Sequence, residues 1–399
     1  MIGGTLPANQ EEYSFNMPRN SNAESAANMS PDYRLEIHPG RQGLSYLFND
    51  WLAMAENLSD PMPSHFPYWY TAFINRPDTV DTQIFFITIY RDLKLAAIFP
   101  VGCSDFRRFR LVELSIPITD ALNIFPDVIV GNDENPALVF RFFLKAMKTQ
   151  QDIKWDVLVV RNTLTDSHIS NCIRGSKRIL SMHKNTGRCN YIQIDQFRDQ
   201  QYFLSKNSRA NLRKARNRLD NAGTSAFECV SDSQSVRKAF KTFMKIEATG
   251  WKGKTSHDKQ RYGEGGAVLL NESKLIFYQE LVGTLARHGY VGIYNLILNG
   301  ETIGSQIGIV LGSTCYLLKI AYNETYEKLS PGNLLLEQVI QHHAQGTRIS
   351  TVNLVSDYTW HNMWKPSHLD YVTYHCFNSS WKGAVYGITM HLHSLLHRS

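Results

Sequence analysis

The stretch Leu318–Ile340, LKIAYNETYEKLSPGNLLLEQVI, decides how the chain is read. It opens inside a strand, the run TCYLLKIAYN of residues 314–323, and crosses a polar loop. It then enters the amphipathic helix LLLEQVIQHHAQG, which Gly346 ends. At the junction stand Leu329, Ser330, Pro331, Gly332, Asn333 and Leu334. Small residues before a helix expose backbone N–H groups, and the helix dipole adds positive potential at the same point. Gly332 lets a ligand approach the backbone closely, so the junction predicts an anion site. The same residues also read as plain helix initiation, with Ser330 as N-cap and Pro331 in the first helical position. The spacing is neither a P-loop nor a G-x-G-x-x-G turn.

Outward from this junction the chain repeats itself. Upstream, YVGIYNLILNGETIGSQIGIVLG (290–312) is strand, turn, strand, with Asn299-Gly300 predicting a two-residue type I′ hairpin. Downstream, ISTVNLVSD (349–357) is a further strand. The first half runs in the same order. TQIFFITIYRDLKLAAIFPVG (82–102) is strand, Arg-Asp turn, strand; RLVELSI (110–116) is a strand; a long loop leads to the helix ALVFRFFLKAMKTQQ (137–151); WDVLVVRN (155–162) closes the set. Two helices precede each hairpin: residues 42–56 and 66–75 in the first half, 235–251 and 272–289 in the second. Each half thus reads α-α-β-β-β-α-β, which predicts an α/β protein built as a tandem repeat.

Four segments carry a resemblance to a known family: SKNSRANLRKARNRL (205–219), IEATGWKG (246–253), LKIAYNETYEKLSPGNLLLEQVI (318–340) and VNLVSDYTWHNMWKP (352–366). Together they resemble the CelD/BcsL-like acetyltransferase family of the GNAT superfamily, which is similar in turn to the FemABX peptidyltransferases with their two GNAT-like domains in tandem. The resemblance spans roughly Arg34 to Gly387 and is firmest from Ser205 to Pro366. It implies two tandem GNAT-like domains, each a mixed central sheet flanked by helices. Residues 1–31 would form a disordered tail, 32–200 a degenerate first domain on the acceptor side, and 201–399 the acyltransferase domain that binds the donor.

The implied function is transfer of an acyl (acetyl) group from acyl-CoA to an amine or hydroxyl of a sugar nucleotide, polysaccharide or cell-envelope precursor. The loop departs from the family's pattern, in which Gln or Arg opens the loop and two small residues follow the spacer. Acyl-CoA, acyl-carrier protein and aminoacyl-tRNA therefore stay open as donors. The alternatives are a Fem-type aminoacyl transferase using charged tRNA, and a non-catalytic GNAT-fold partner in a polysaccharide or lipid synthesis complex. The matching place in the first half, NDENPALVF, has two acids and no glycine beside the helix; acids there complement the dipole themselves and repel phosphate.

Around this frame the candidate residues fall into three groups. Donor contacts are Ser330, Pro331, Gly332, Asn333 and Leu334, joined by Lys319, a lysine inside the strand YLLKIAY that burial would force to pair or deprotonate. The second group is Glu247, Trp251 and Lys252. Glu247 and Trp251 are four apart on a helix, and a carboxyl beside an indole is expected to have a raised pKa suited to a general base. The alternative is a helix-end Glu and a core Trp, with Lys252 complementing the dipole. The third group follows the last motif strand: Asp357 to accept a proton, Tyr358 or Lys365 to donate one, and Trp360 and Trp364 as aromatic platforms, or else as core.

The basic segment 205–223 carries six cations against Asp220. Its apolar residues Leu212, Ala215, Leu219 and Ala222 recur at helical spacing, with Ser205 to cap the start and Gly223 to end it. Without aromatics it is no stacking platform for single-stranded nucleic acid. Arg209 and Arg213 are candidate contacts to a phosphorylated acceptor or donor, and would carry tRNA under the alternative. A net charge of +6 over 399 residues permits an anionic partner without demanding one. Six scattered cysteines without a CxxC pair, and an N-terminus without basic and apolar signal regions, predict a cytoplasmic protein with reduced thiols. No apolar run is long enough to span a membrane, so any membrane work would be by peripheral association with a synthesis complex. The pair His393/His397 lacks an accompanying carboxylate, and no metal is expected.

Overall fold

A computed structural model describes residues 13–16, 32–115, 125–176, 179–198, 204–250, 252–253, 266–346 and 348–396. The first half runs β1 (Tyr13–Asn16), β2 (Tyr33–Pro39), α1 (Gly40–Glu56), α2 (Pro67–Ile74), β3 (Ile84–Arg91), β4 (Lys94–Phe106), β5 (Phe109–Leu114), β6 (Ile129–Val130), α3 (Pro136–Thr149), β7 (Val157–Leu164), α4 (His168–Gly175), β8 (Leu180–Gln193) and α5 (Asp195–Arg198). The second runs α6 (Lys206–Ala222), β9 (Ser225–Val230), α7 (Ser233–Thr249), α8 (Glu272–Arg287), β10 (Val291–Leu298), β11 (Glu301–Leu311), β12 (Thr314–Tyr322), α9 (Pro331–Gln345), β13 (Thr351–Asn353), β14 (Ser367–Phe377) and α10 (Trp381–Leu396). The repeat read from the sequence is present element for element. Two placements shift. The first hairpin turns at Asp92-Leu93, with Asp92 at φ +56°, rather than at Arg-Asp. Tyr13–Asn16, inside the segment expected to be disordered, pairs with β8.

All the main strands join one sheet in the order β2-β3-β4-β5-β7-β14-β8-β13-β12-β11-β10-β9. Read from either end it gives the same plan: antiparallel neighbours, then one parallel step, β5 beside β7 and β12 beside β13. The centre is an exchange. β8 follows β7 in the chain but lies against β13, and β14 follows β13 but lies against β7. The two exchanged strands pair with each other from Ser367 opposite Tyr191 to Phe377 opposite Leu180. Neither was read from the sequence as a strand, and both positions are set by pairings between distant parts of the chain.

Burial locks the halves together. Trp69 of α2 meets Phe277 of α8 edge-on at 5.4 Å, and the Tyr68 hydroxyl lies 3.1 Å from His288 Nε2. Trp51, Trp69 and Tyr278 are buried in one continuous cluster, each large side chain contributing roughly 2–3 kcal/mol of burial. A second cluster seats α6: Leu212, Ala215 and Leu219 pack with Leu335 and Val339 of α9 and Leu317 of β12. Ala222, placed on that stripe by its spacing, is exposed, and Ser208 takes the buried position one turn from the start.

The ends of α6 follow the sequence reading. Ser205 accepts the Ser208 N–H at 3.0 Å, and Gly223 sits at φ +146°. The Asn299-Gly300 turn has both residues at positive φ, as a type I′ turn requires. These two features interlock: Asn299 accepts the Thr224 N–H at 2.9 Å and donates to the Ala222 carbonyl at 3.1 Å. A Cβ on Gly223 would sit 2.0 Å from Asn299 Oδ1. Gly223→Ala is therefore expected to cost about 2 kcal/mol or more through clash and strain, read as a lower urea midpoint. Gly300→Ala, where nothing lies within 4 Å of the added carbon, should cost only the smaller strain of a positive φ.

Candidate active site

The sheet opens beside β12. β12 and β13 pair over only three positions, Thr314 to Thr351 through Tyr316 to Asn353. Past Asn353 the chain turns to β8, with the Leu354 N–H bonding the Asn190 carbonyl at 2.8 Å. β12 continues to Tyr322, laddered on β11 alone among the described residues. Its register on β11 shifts between Ile307 and Gly308, leaving Leu318 as the extra residue of a bulge that bends the strand. The result is a wedge-shaped gap with one edge of β12 along it.

At the mouth of this gap begins α9. Ser330 is not a side-chain cap: it sits in the left-handed region at φ +58° and makes no capping bond. The first helical bond runs from the Leu334 N–H to the Ser330 carbonyl at 3.2 Å. Pro331 has no N–H, so Gly332 and Asn333 present theirs without an intrahelical acceptor. The matching helix of the first half is closed. Asn135 caps α3 by accepting the Ala137 and Leu138 N–H groups at 3.0 and 3.2 Å. The neighbouring acids are committed elsewhere, Asp133 to Lys94 at 2.6 Å and Glu134 to the Tyr33 hydroxyl at 2.8 Å. The first-half junction is blocked by its own Asn cap rather than by acids against the dipole.

Beside α9 lies the basic helix. Arg218 Nη2 is 3.5 Å from Ser330 Oγ, and Arg216 bonds the buried Glu337 at 2.5 Å. Arg218 is thus the arginine beside the junction, and Arg216 holds α6 to α9 further along the helix. Arg209 and Arg213, chosen from the sequence, are exposed nearer the start of α6, on the flank that Arg216 shares.

Behind the open edge the structure brings three predicted residues together. Glu247, 2% exposed near the end of α7, receives Lys252 Nζ and Lys319 Nζ at 3.2 Å each on Oε1 and the Val268 N–H at 2.8 Å on Oε2. Lys252 also donates to the Ile320 carbonyl of β12 at 2.8 Å, and Lys319 stands 5.2 Å over the Tyr278 ring. Burial alone would raise the Glu247 pKa, but the two ammonium groups and the Val268 N–H outweigh it and hold the carboxyl below its ordinary value. This is the opposite of the raised pKa expected from the sequence. For Lys252, burial and the neighbouring Lys319 lower the pKa against the pull of Glu247. Trp251 lies outside the described residues.

Across the gap, where β13 ends, Asp357, Tyr358 and Lys365 are exposed, Trp360 is half-buried and Trp364 is buried in the core. The chain here is tightly bent, with Val355 and Lys365 at positive φ. Sequence reasoning passed over the residues beneath them. Asn353 accepts from Cys189 Sγ at 3.2 Å and from the Val355 N–H at 2.8 Å. Asn190 lies 3.3 Å from Nδ1 of the buried His361, whose pKa burial pushes down to about 4. His361 stood inside the motif 352–366, but its partner on β8 was not legible. Among the described residues no group of three or more His, Cys, Asp or Glu side chains is arranged to hold a metal.

Residues 206–361 match the family model described as an acetyltransferase (GNAT) domain. Among curated proteins none matches the chain in sequence. Among solved structures the chain is similar to FemX, at 10% identity and a TM-score of 0.52, covering 85% of this chain and 97% of that one. It is similar to a conserved protein of unknown function from Bacteroides thetaiotaomicron VPI-5482, at 11% identity and a TM-score of 0.51, covering 84% and 97%. A tandem GNAT protein from the clavulanic acid biosynthesis pathway aligns at 9% identity and a TM-score of 0.45, covering 87% and 100%. At such identities the likeness is one of fold. The two halves share one element plan in tandem, and the stretch that matches the acetyltransferase (GNAT) domain model falls in the second.

Proposed function

We propose that the protein is an acyltransferase that moves an acyl (acetyl) group from acyl-CoA to an amine or hydroxyl of a sugar nucleotide, polysaccharide or cell-envelope precursor. The observation that carries this reading is the uncapped start of α9 at the mouth of the gap between β12 and β13. The N–H groups of Gly332 and Asn333, with Arg218 beside Ser330, suit the pyrophosphate of CoA. Bound there, the thioester supplies the activated acyl carbon. Lys319 and Lys252 place two ammonium groups behind the open strand, where they favour developing negative charge, and Glu247 positions both. Glu247 is buried and its oxygens already accept from Lys252, Lys319 and the Val268 N–H, so the exposed Asp357 at the exit of β13 is the carboxylate free to take the proton, with Tyr358 or Lys365 as donor.

A pocket of about 220 Å³ in the first half, lined by Asp60, His65, Asn132, Glu134 and His168 among others, supports an acceptor role for that half. Asp60 lies close enough to Tyr316 of β12 to help raise its phenol, after burial. The motifs at 205–219, 246–253, 318–340 and 352–366 support the CelD/BcsL-like assignment and with it an envelope or polysaccharide acceptor.

Thermal stabilisation by an acyl-CoA panel, followed by mass spectrometry of reactions with cell-extract acceptors, tests the reading. CoA and acyl-CoA are expected to raise the melting temperature, and an acylated product is expected. Absence of stabilisation by any of them favours the non-catalytic partner. A second reading, aminoacyl transfer from charged tRNA, is favoured by the exposed Lys206, Arg209, Arg213 and Lys214 of α6. It predicts tRNA binding that weakens steeply with salt, and no response to CoA.

A further inference from the structure

The last helix has two apolar faces and uses one. α10 packs down through Gly383 and Gly387, with Tyr386 edge-on to Phe109 at 4.9 Å. The glycines set the approach: a Cβ on Gly383 would lie 2.3 Å from the Asn378 carbonyl oxygen, and one on Gly387 would lie 3.3 Å from the Phe377 ring. The opposite face carries Trp381, Val385, Ile388 and Leu392, exposed by 74%, 43%, 60% and 54%. Their spacing of four, three and four confines them to one stripe about 16 Å long. Scattered exposed apolar residues are ordinary, but four large ones aligned on a helix with its other face buried mark an interaction surface.

The stripe's rim is cationic. Lys382 donates to the Arg108 carbonyl at 3.3 Å, tying the helix to the β4–β5 hairpin. The tip of that hairpin carries Phe106, 47% exposed, and the exposed Arg107 and Arg108. No Asp or Glu follows Asp370 in the chain. An apolar stripe opened by a tryptophan and bordered by Arg and Lys fits the boundary between headgroups and acyl chains of an anionic bilayer. A second copy of this chain fits less well, because a two-fold contact would set the same cationic rim on both sides.

We propose that α10 and the β4–β5 hairpin tip form a docking face for anionic phospholipid membranes. The surface is independent of the donor reading. Cosedimentation of the full chain with vesicles tests it, comparing phosphatidylcholine alone with phosphatidylcholine carrying roughly one-third phosphatidylglycerol. The anionic vesicles are expected to bind at least about tenfold more tightly, with release at high salt. Ile388→Glu with Leu392→Glu should weaken binding at least about tenfold at unchanged melting temperature, since both side chains are exposed. Arg107→Glu with Arg108→Glu should erase the preference for anionic vesicles. No binding to anionic vesicles at low salt overturns the proposal, as does equal binding by the Ile388/Leu392 variant. A dimer in sedimentation velocity that Ile388→Glu dissociates would overturn it in favour of a second copy.

Discussion

Gly332→Glu is expected to raise the dissociation constant for CoA by at least about 100-fold, or roughly 2.7 kcal/mol. The substitution puts a carboxylate where the start of α9 offers N–H groups, and like charge at an anion site costs several kcal/mol. Gly332→Ala is the control. Its Cβ would meet only Ile320 Cδ1 at 3.7 Å and Tyr322 Cδ1 at 3.9 Å, both ordinary contacts, so the fold should keep its stability. Titration calorimetry on the two variants separates ligand from fold. Unchanged CoA affinity in Gly332→Glu would remove the α9 junction as the pyrophosphate site.

The second large effect is on stability. Glu247→Leu leaves Lys252 and Lys319 facing each other in a buried site with no counter-charge. Breaking a buried ionic cluster this way typically costs about 3–5 kcal/mol, read as the change in unfolding free energy in urea. Lys252 also bonds the Ile320 carbonyl, so the loss should loosen the strand edge along the gap and lower activity with it. A variant as stable as the parent would show that the cluster does not hold α7 to β12. The pH dependence carries a definite sign. The folded-state pKa of Glu247 lies below its ordinary value of 4.5, so its contribution is complete above that value. It is lost as the pH falls from there through the folded-state pKa. In Glu247→Gln that part of the acid limb should flatten.

Much of the fold was legible because its signals are local. Asn299-Gly300 announces its turn through two residues that tolerate positive φ, and Ser205 and Gly223 bound α6, the first by a capping bond and the second by a positive φ open to glycine. The tandem order followed from the same kind of reading. The centre of the sheet did not. β8 carries the polar run Lys184, Asn185, Thr186, Gly187 and Arg188, which breaks the apolar alternation of a strand, and it finds partners far along the chain. The site divides likewise. Glu247, Lys252 and Lys319 were singled out one by one, while their meeting on one carboxylate oxygen depends on α7 ending against β12. Ser330 has the composition of an N-cap, and only its left-handed backbone shows that it leaves the helix open. Arg209, Arg213 and Arg216 share a flank by their spacing, but spacing does not say how far along α6 the start of α9 lies, and it lies beside Arg218, near the end of α6.

The exchange of β8 and β14 also bears on how the protein is made. β7 gains its neighbour on one side only when β14 arrives, and Leu164 and Ser367 are 203 residues apart (367 minus 164). At ordinary translation speeds that interval lasts on the order of 10–40 s. Until then the apolar run Val157 to Val160 lacks the neighbour it has on that side in the finished sheet. Such an edge is a template for wrong pairing between nascent chains. A chain stopped after the loop before α9 would therefore leave the first half without its closing strand as well as the second half unfinished.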